Sequence, residues 1–141
     1  MASIQYPPAG LLRRIAAAVY DGLLVVALQM LATLLLVAAR GGAPIRPGDP
    51  VLQAILIMTA GTFFVGFWTR GGQTLGMSAW RLRVEMQDGN PLPAGVAILR
   101  LVTASLSLAC FGLGFLWQLV DRQSLTWHDR LAGTRVIMLP K

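Results

Sequence analysis

Three long apolar runs, separated by shorter polar segments, dominate the pattern along the chain. They cover residues 15–39, 51–68 and about 96–120. As an α-helix the first run is roughly 37 Å long, which exceeds the ~30 Å hydrocarbon core of a bilayer. The second run just crosses that core and ends in aromatic residues, which suit the membrane interface. The pattern therefore predicts an all-α integral membrane protein with transmembrane helices at 15–39 and 51–68.

The polar segments predict loops and a small β-ribbon. Residues 40–50 contain three glycines and three prolines, which excludes a helix and indicates an external loop. Residues 80–87 alternate between apolar and polar side chains before the turn sequence Asp88-Gly89, a pattern typical of a β-strand. Residues 134–139 form a weaker second strand candidate. The two strands are predicted to pair beside the membrane, on its cytoplasmic side.

The third apolar run, residues 96–120, is harder to thread through a bilayer. A single straight span would place the tail, residues 121–141, outside the cell. The ribbon, however, needs that tail on the same side as the polar segment 69–95, and two full crossings would take about 40 residues. A kinked span or a re-entrant hairpin bent around residues 111–115 reconciles these demands. The tail also carries basic residues that favour the cytoplasmic side: Arg122, Arg130, Arg135 and Lys141.

Composition supports a membrane protein of one domain, residues 1–141. Apolar residues make up 55% of the chain and charged residues 13%, about half the charged fraction of a soluble domain. The net charge is +6, and the basic residues lie in short segments beside the apolar runs. We interpret this excess as a topology signal and as contact with anionic headgroups, not as nucleic-acid binding. Arg13 and Arg14 predict a cytoplasmic N-terminus.

One acid interrupts the first apolar run. Asp21 is the only formal charge between residues 15 and 39, and a carboxylate within a bilayer is costly unless it is paired or protonated. Arg14 precedes it by seven residues and shares its helix face. Arg100, inside the third run, is the partner that we expect for Asp21, with Arg14 as the alternative. Asp21 is then either held by an ion pair or hydrogen bond that fixes helix packing, the interpretation we favour, or a site that binds and releases a proton or sodium ion.

A second cluster of charges is expected in the tail. Asp129 is predicted to lie at the cytoplasmic face with Arg122 and Arg130, together with Arg81 and Arg83 of the first strand. Such a cluster could be a ligand site or gate. It could equally be a solvated cap that joins the tail to the strand, which we favour.

The sequence gives little support for catalysis or for a bound cofactor. The chain has one cysteine and one histidine, too few for a disulfide or a zinc site, so no metal or cofactor is expected. His128 and Asp129 are neighbours and would point about 100° apart on a helix, which argues against a triad with Ser124. The glycine spacing of residues 71–76 lacks the lysine of a phosphate loop. It favours a tight exit from the second helix, with Thr74 capping the next turn. We do not expect an enzyme.

Several motifs together resemble the RDD family of small bacterial membrane proteins. The family is named for an arginine at the start of the first helix, an aspartate within that helix and a second aspartate further on, and Arg14, Asp21 and Asp129 match them. The resemblance runs from about Leu11 to Val136 and implies the bacterial inner membrane, an unknown molecular function and a suggestion of transport, since some members look like sodium/proton antiporters. The motifs are LLRR with Asp21, GGQTLG at 71–76, RLRV with Asp88-Gly89, Leu99-Arg100 and HDRLAGT at 128–134.

Two hypotheses of function follow. In the first, a homo-oligomer transports an ion or small ligand with the help of Asp21, because so few spans cannot enclose an aqueous path within one copy. In the second, the chain is a non-catalytic accessory or assembly subunit of a larger membrane complex. Small residues on the third run, Ser105, Ala109 and Gly112, suit close helix packing in either case.

Overall fold

The computed structural model describes residues 6–140; residues 1–5 and Lys141 lie outside that range. Helix α1 covers Leu11–Ala39 and helix α2 covers Pro50–Gly71. By length and composition both can cross a membrane, so the two predicted transmembrane helices are confirmed. Each extends slightly beyond its apolar run. Helix α1 begins at Leu11, so Arg14 lies inside its first turn, where its side chain is buried in the protein.

The loop between α1 and α2 is closed by a local ion pair. Asp49 accepts a hydrogen bond from the backbone N–H of Leu52 at 2.9 Å, and Pro50 occupies the first turn of α2, where its missing N–H is no loss. Arg40 also donates to Asp49 at 2.7 Å. Further along, Gln29 of α1 donates to the backbone carbonyl of Leu56 on α2 at 3.2 Å. These contacts fix the two helices as a pair.

A short helix follows α2 directly. Gly72 caps the C-terminus of α2 with a left-handed φ of 66°, and helix α3, Leu75–Ala79, begins after Thr74. The hydroxyl of Thr74 accepts a hydrogen bond from the N–H of Met77 at 3.1 Å. The predicted tight exit from the second helix, with Thr74 as the next cap, is confirmed.

The predicted β-ribbon is present. Strand β1, Leu82–Met86, pairs antiparallel with strand β2, Thr134–Met138. The segment before α1 runs along the other edge of β2, where the N–H of Ala9 donates to the carbonyl of Val136 at 3.0 Å. We call this end of the molecule, where α1 begins and α2 ends, the ribbon end.

The third apolar run is bent. Helix α4, Ala94–Ala109, is followed by α5, Leu113–Leu116, and a 3₁₀ turn, Trp117–Leu119. The two arms meet at 103°, because Phe111 and Gly112 both take positive φ values. Helix α6, Trp127–Ala132, then packs against α4 near its start. The chain therefore returns to the ribbon end, as the bent alternative predicts.

Gly114 allows this hairpin to close. A Cβ atom at Gly114 would lie 2.0 Å from the hydroxyl of Ser107 on α4, well inside van der Waals contact. The segment can therefore fold back against α4 only because this position has no side chain.

The apolar core lies at the ribbon end. It contains small and large side chains from the lead-in, four helices and both strands: Ala9, Ala17, Trp68, Met77, Leu82, Val84, Leu92, Ala97 and Val136. Beyond that core, α1 and α2 expose many large apolar side chains, such as Leu23, Leu34 and Ile57. Such surfaces suit helices whose solvent is lipid.

Candidate functional site

Asp129 lies at the centre of a buried charged cluster. It occupies the first turn of α6, where its N–H donates to the hydroxyl of Thr126 and its Oδ2 accepts from the N–H of Thr126 at 3.2 Å. This reciprocal capping box satisfies two helix-end donors and holds the carboxylate in place. Asp129 is completely buried.

Two guanidinium groups pair with this one carboxylate. Arg14 Nη1 donates to Oδ2 of Asp129 at 2.5 Å, and Arg100 Nη1 donates to Oδ1. Arg100 also donates to the hydroxyl of Thr134 at 2.6 Å. We call Arg14, Asp129 and Arg100 the double-arginine clasp. It joins the start of α1, the second turn of α4 and the first turn of α6.

The clasp sets the protonation of its neighbours. Burial alone would raise the pKa of Asp129, but Arg100 and Arg14 outweigh it and hold that pKa well below its usual range. Burial and the two guanidinium groups lower the pKa of His128 to about 3. Asp129 is therefore ionised and His128 neutral at physiological pH.

Two predicted pairings are wrong. Arg100 was expected to pair with Asp21, with Arg14 as the alternative, yet both arginines pair with Asp129, because the hairpin brings α6 back against α4. The expected contact of Asp129 with Arg130 is also absent among the described residues. Arg130 instead pairs with Asp121, so the cluster around Asp129 is a buried clasp and not a solvated cap.

Asp21 has a different environment. Its Oδ2 accepts a hydrogen bond from the hydroxyl of Thr74 at 2.5 Å, and its Oδ1 accepts one from the N–H of Gly76 at 2.8 Å. The residue is only 3% exposed, so its side chain faces protein. Within residues 6–140 no basic side chain forms an ion pair with it. Neutral donors at the start of α3 hold this carboxylate.

Gly76 makes this contact possible. A Cβ atom at Gly76 would lie 2.3 Å from the carbonyl oxygen of Ala17 and 2.9 Å from the carboxylate of Asp21. Any larger residue would push α3 away from α1. The Asp21 site therefore depends on a glycine at position 76.

A cleft of about 300 Å³ lies between α1, α2 and α4. At the ribbon end its lining carries polar side chains from both charged sites and from α6: Arg14, Asp21, Arg100 and His128. Towards the bilayer its walls are small or apolar, with Gly22 and Val25 on α1 facing Ala104 and Leu108 on α4. Phe64 and Trp68 of α2 line it as well. The cleft thus connects the surroundings of the clasp with those of Asp21.

Sequence reasoning missed several residues of this site. Thr74 was predicted as a helix cap, but not as the donor to Asp21. Two more residues were not assigned to a site. They are Trp68, whose ring centroid lies 5.2 Å from the guanidinium carbon of Arg100, and His128, whose ring contacts that of Phe115 at a centroid distance of 4.8 Å. The GGQTLG motif, part of the resemblance to the RDD family, was the one sequence signal that Thr74 and Gly76 belong to the site. No short-range pattern links Trp68 to Arg100.

The carboxylates and the histidine are not grouped as metal ligands. Over the described residues there is no set of three or more His, Cys, Asp or Glu side chains close enough to hold a metal ion. The donors of the site are guanidinium, hydroxyl, indole and amide groups. Such groups bind anions and other hydrogen-bond acceptors.

These features define a class: a small helical membrane protein whose two long apolar helices and bent third segment are joined at one end by a buried arginine–aspartate clasp. The RDD family model matches residues 8–133, nearly the whole chain, and the chain belongs to this family. The match includes Arg14, Asp21 and Asp129. Searches of curated proteins and of solved structures each give no match.

Proposed function

We propose that this RDD-family chain is a non-enzymatic, multi-pass protein of the bacterial inner membrane that carries an ion or small ligand as a homo-oligomer. Asp21 is the group that gains and loses a proton during transport, and the cleft beside it receives the ligand. The N-terminus and the ribbon end lie in the cytoplasm.

The observation that carries this proposal is the contrast between the two buried carboxylates. Asp129 has two cationic partners, which keep it charged. Asp21 has none among the described residues, and the hydroxyl of Thr74 can donate to a carboxylate or accept from a carboxylic acid. Asp21 can therefore change its charge without breaking an ion pair. Buried acids of this kind mark proton relays in membrane proteins.

The distribution of basic residues supports the orientation. Only Arg40 and Arg46 lie in the loop at the opposite end. Basic residues close to transmembrane ends favour the cytoplasmic side, where anionic headgroups attract them. The ribbon end carries the other arginines outside the clasp: Arg13, Arg70, Arg81, Arg83, Arg122, Arg130 and Arg135.

The shape of one copy supports the proposal of a homo-oligomer. Two full helices and a bent hairpin leave the cleft bounded by α1, α2 and α4 only. A ligand that crosses the whole membrane needs further walls beyond the end of the hairpin. The exposed apolar faces of α1 and α4, with residues such as Leu23 and Leu106, are the surfaces on which a second copy would supply them.

Flux through reconstituted vesicles tests the carrier. The purified protein is placed in vesicles that contain a pH-sensitive dye, and a sodium or potassium gradient is imposed. We expect cation-dependent proton flux from the wild type, little from Asp21→Asn, and normal flux from the control Asp49→Asn in the loop. Size-exclusion profiles verify that both variants fold. Equal flux from wild type and Asp21→Asn, or none from the wild type, would overturn the proposal.

A second candidate is an accessory or assembly subunit. The clasp favours it, because Arg14 and Arg100 both pair with Asp129 and hold three elements of the fold in a fixed arrangement. This function predicts a stoichiometric partner protein on purification in mild detergent, and no flux from the chain alone. A homo-oligomer with flux would exclude it.

A further inference from the structure

Two residues that line the cleft each have a buried hydrogen-bond donor without a partner in the described part of the chain. Among the residues that the structure describes, the indole N–H of Trp68 and the Nε–H of Arg100 have no hydrogen-bond partner. Both side chains line the cleft, at 7% and 5% exposure. Leaving buried donors unpaired is costly, so two such donors at one cavity indicate a ligand that accepts hydrogen bonds.

The two donors belong to one stacked pair. The guanidinium of Arg100 lies over the ring of Trp68, with its Cζ atom 5.2 Å from the ring centroid. The bonds from Arg100 Nη1 to Asp129 and Thr134 hold that guanidinium in position. One donor is cationic and the other neutral, a combination that suits a negatively charged oxygen.

The rest of the cleft suits an apolar chain. From Arg14 and Arg100 its walls run away from the ribbon end along α1 and α4. Small side chains leave room between the helices, and apolar ones line it. The wall residues are Ala18, Gly22 and Val25 on α1, and Leu101, Ala104 and Leu108 on α4.

We propose that the cleft binds an amphiphilic oxyanion, a carboxylate or phosphate group on an alkyl chain. Its oxygen accepts hydrogen bonds from Trp68 Nε1 and Arg100 Nε, and its chain lies between α1 and α4. A volume of about 300 Å³ admits the charged group and the first part of the chain, at the lower end of ligand pockets. A free fatty acid and a membrane phospholipid share this chemistry.

The charges of the cleft link this ligand to Asp21. The clasp has two guanidinium groups and one carboxylate, a net charge of +1, and His128 is neutral. When Asp21 is protonated, one bound anion neutralises the site. When Asp21 is ionised, the same anion adds an unbalanced charge. Anion binding therefore takes up a proton, and this link rests on the proposed carrier function.

Binding of radiolabelled dodecanoate to the protein in phosphatidylcholine nanodiscs tests the site. We expect saturable binding above that of empty nanodiscs. Ala104→Leu fills the cleft and should abolish it, whereas Ala109→Leu, an exposed position on the same helix, should not. Trp68→Phe keeps the ring but removes the donor and should weaken binding about fivefold. Trp80→Phe, which alters an exposed tryptophan, should have no effect.

A second arm identifies the source of the oxyanion. Competition by phosphatidylglycerol in the nanodisc supports a membrane lipid as the natural occupant, and its failure to compete supports a free acid; either result supports the site. No saturable binding, or equal binding by Ala104→Leu and Ala109→Leu, would overturn it. Ion flux in vesicles without dodecanoate binding would support the carrier function and overturn the oxyanion site. Dodecanoate binding without ion flux would support the oxyanion site and overturn the carrier function.

Discussion

Asp129 and Asp21 are both buried carboxylates, but the protein treats them in opposite ways. Asp129 contacts two guanidinium groups and caps its own helix. Asp21 contacts one hydroxyl and one backbone N–H. The first arrangement fixes a negative charge, because any loss of that charge would leave two buried cations unpaired. The second arrangement tolerates a carboxylate or a carboxylic acid.

One small fold thus keeps a structural carboxylate apart from a carboxylate that can change its charge. The clasp joins three parts of the chain that are far apart in sequence, α1, α4 and α6. The Asp21 site joins only α1 and α3, and α3 is a short helix whose approach depends on Gly76. A change in the charge of Asp21 can therefore alter one local contact while the clasp keeps the hairpin in place.

The largest effect is expected at the clasp. Asp129→Asn removes the anion between Arg14 and Arg100, and breaking a buried ion pair costs about 3–5 kcal/mol. Unfolding in detergent with increasing denaturant should show that loss, or the variant should fail to accumulate. Asp49→Asn breaks the exposed pair with Arg40 and should change stability little. Similar stability of these two variants would contradict a structural role for the clasp.

Acidification should lower the stability of the folded protein, because His128 beside the clasp resists protonation. Its pKa is about 3 in the folded protein and ordinarily 6.5, so the unfolded chain binds a proton below pH 6.5 that the folded chain does not. Stability is therefore complete above pH 6.5 and falls as the pH drops, by about 2 kcal/mol at pH 5. Arg14 and Arg100 disfavour the charged imidazole, whereas Asp129 favours it.

Thermal unfolding between pH 8 and pH 5 measures this effect. The variant His128→Gln should lose most of the slope, because glutamine does not titrate. An unchanged slope in the variant would mean that His128 is accessible to protons in the folded state.

The smallest effect on stability is expected at Thr74. Thr74→Val removes both the donor to Asp21 and the cap of α3, with an expected loss of about 1–2 kcal/mol. Thr74→Ser keeps the hydroxyl and should behave like the wild type in the same unfolding measurement. A loss from Thr74→Ser without a loss from Thr74→Val would show that the methyl group of Thr74, and not its hydroxyl, is what matters.

The membrane architecture could be predicted from the sequence because it follows from length and charge. Apolar runs long enough to cross a bilayer core give α1 and α2, and basic residues after the third run indicate that the chain returns. The alternating pattern at residues 80–87 gives β1. Helix α3 was not predicted, because five residues are too few to show a helical period.

The partners of the buried charges could not be predicted, because they depend on the register of the hairpin. Arg100 was rightly identified as a buried charge in an apolar run. Which acid it meets depends on where the bend at Phe111 and Gly112 returns the chain. That bend places Asp129 beside Arg100. Asp21 instead accepts a hydrogen bond from the hydroxyl of Thr74, 53 residues further along the sequence. Charge alone does not distinguish these two outcomes.

We expect Asp21, and not Asp129, to change its protonation state as the pH changes. Infrared difference spectra between low and high pH measure this directly, because a protonated carboxyl group absorbs apart from a carboxylate. We predict a protonated-carboxyl band in the wild type and in Asp49→Asn that titrates with pH and is missing in Asp21→Asn. A band that persists in Asp21→Asn, or no titrating band in the wild type, would contradict the account.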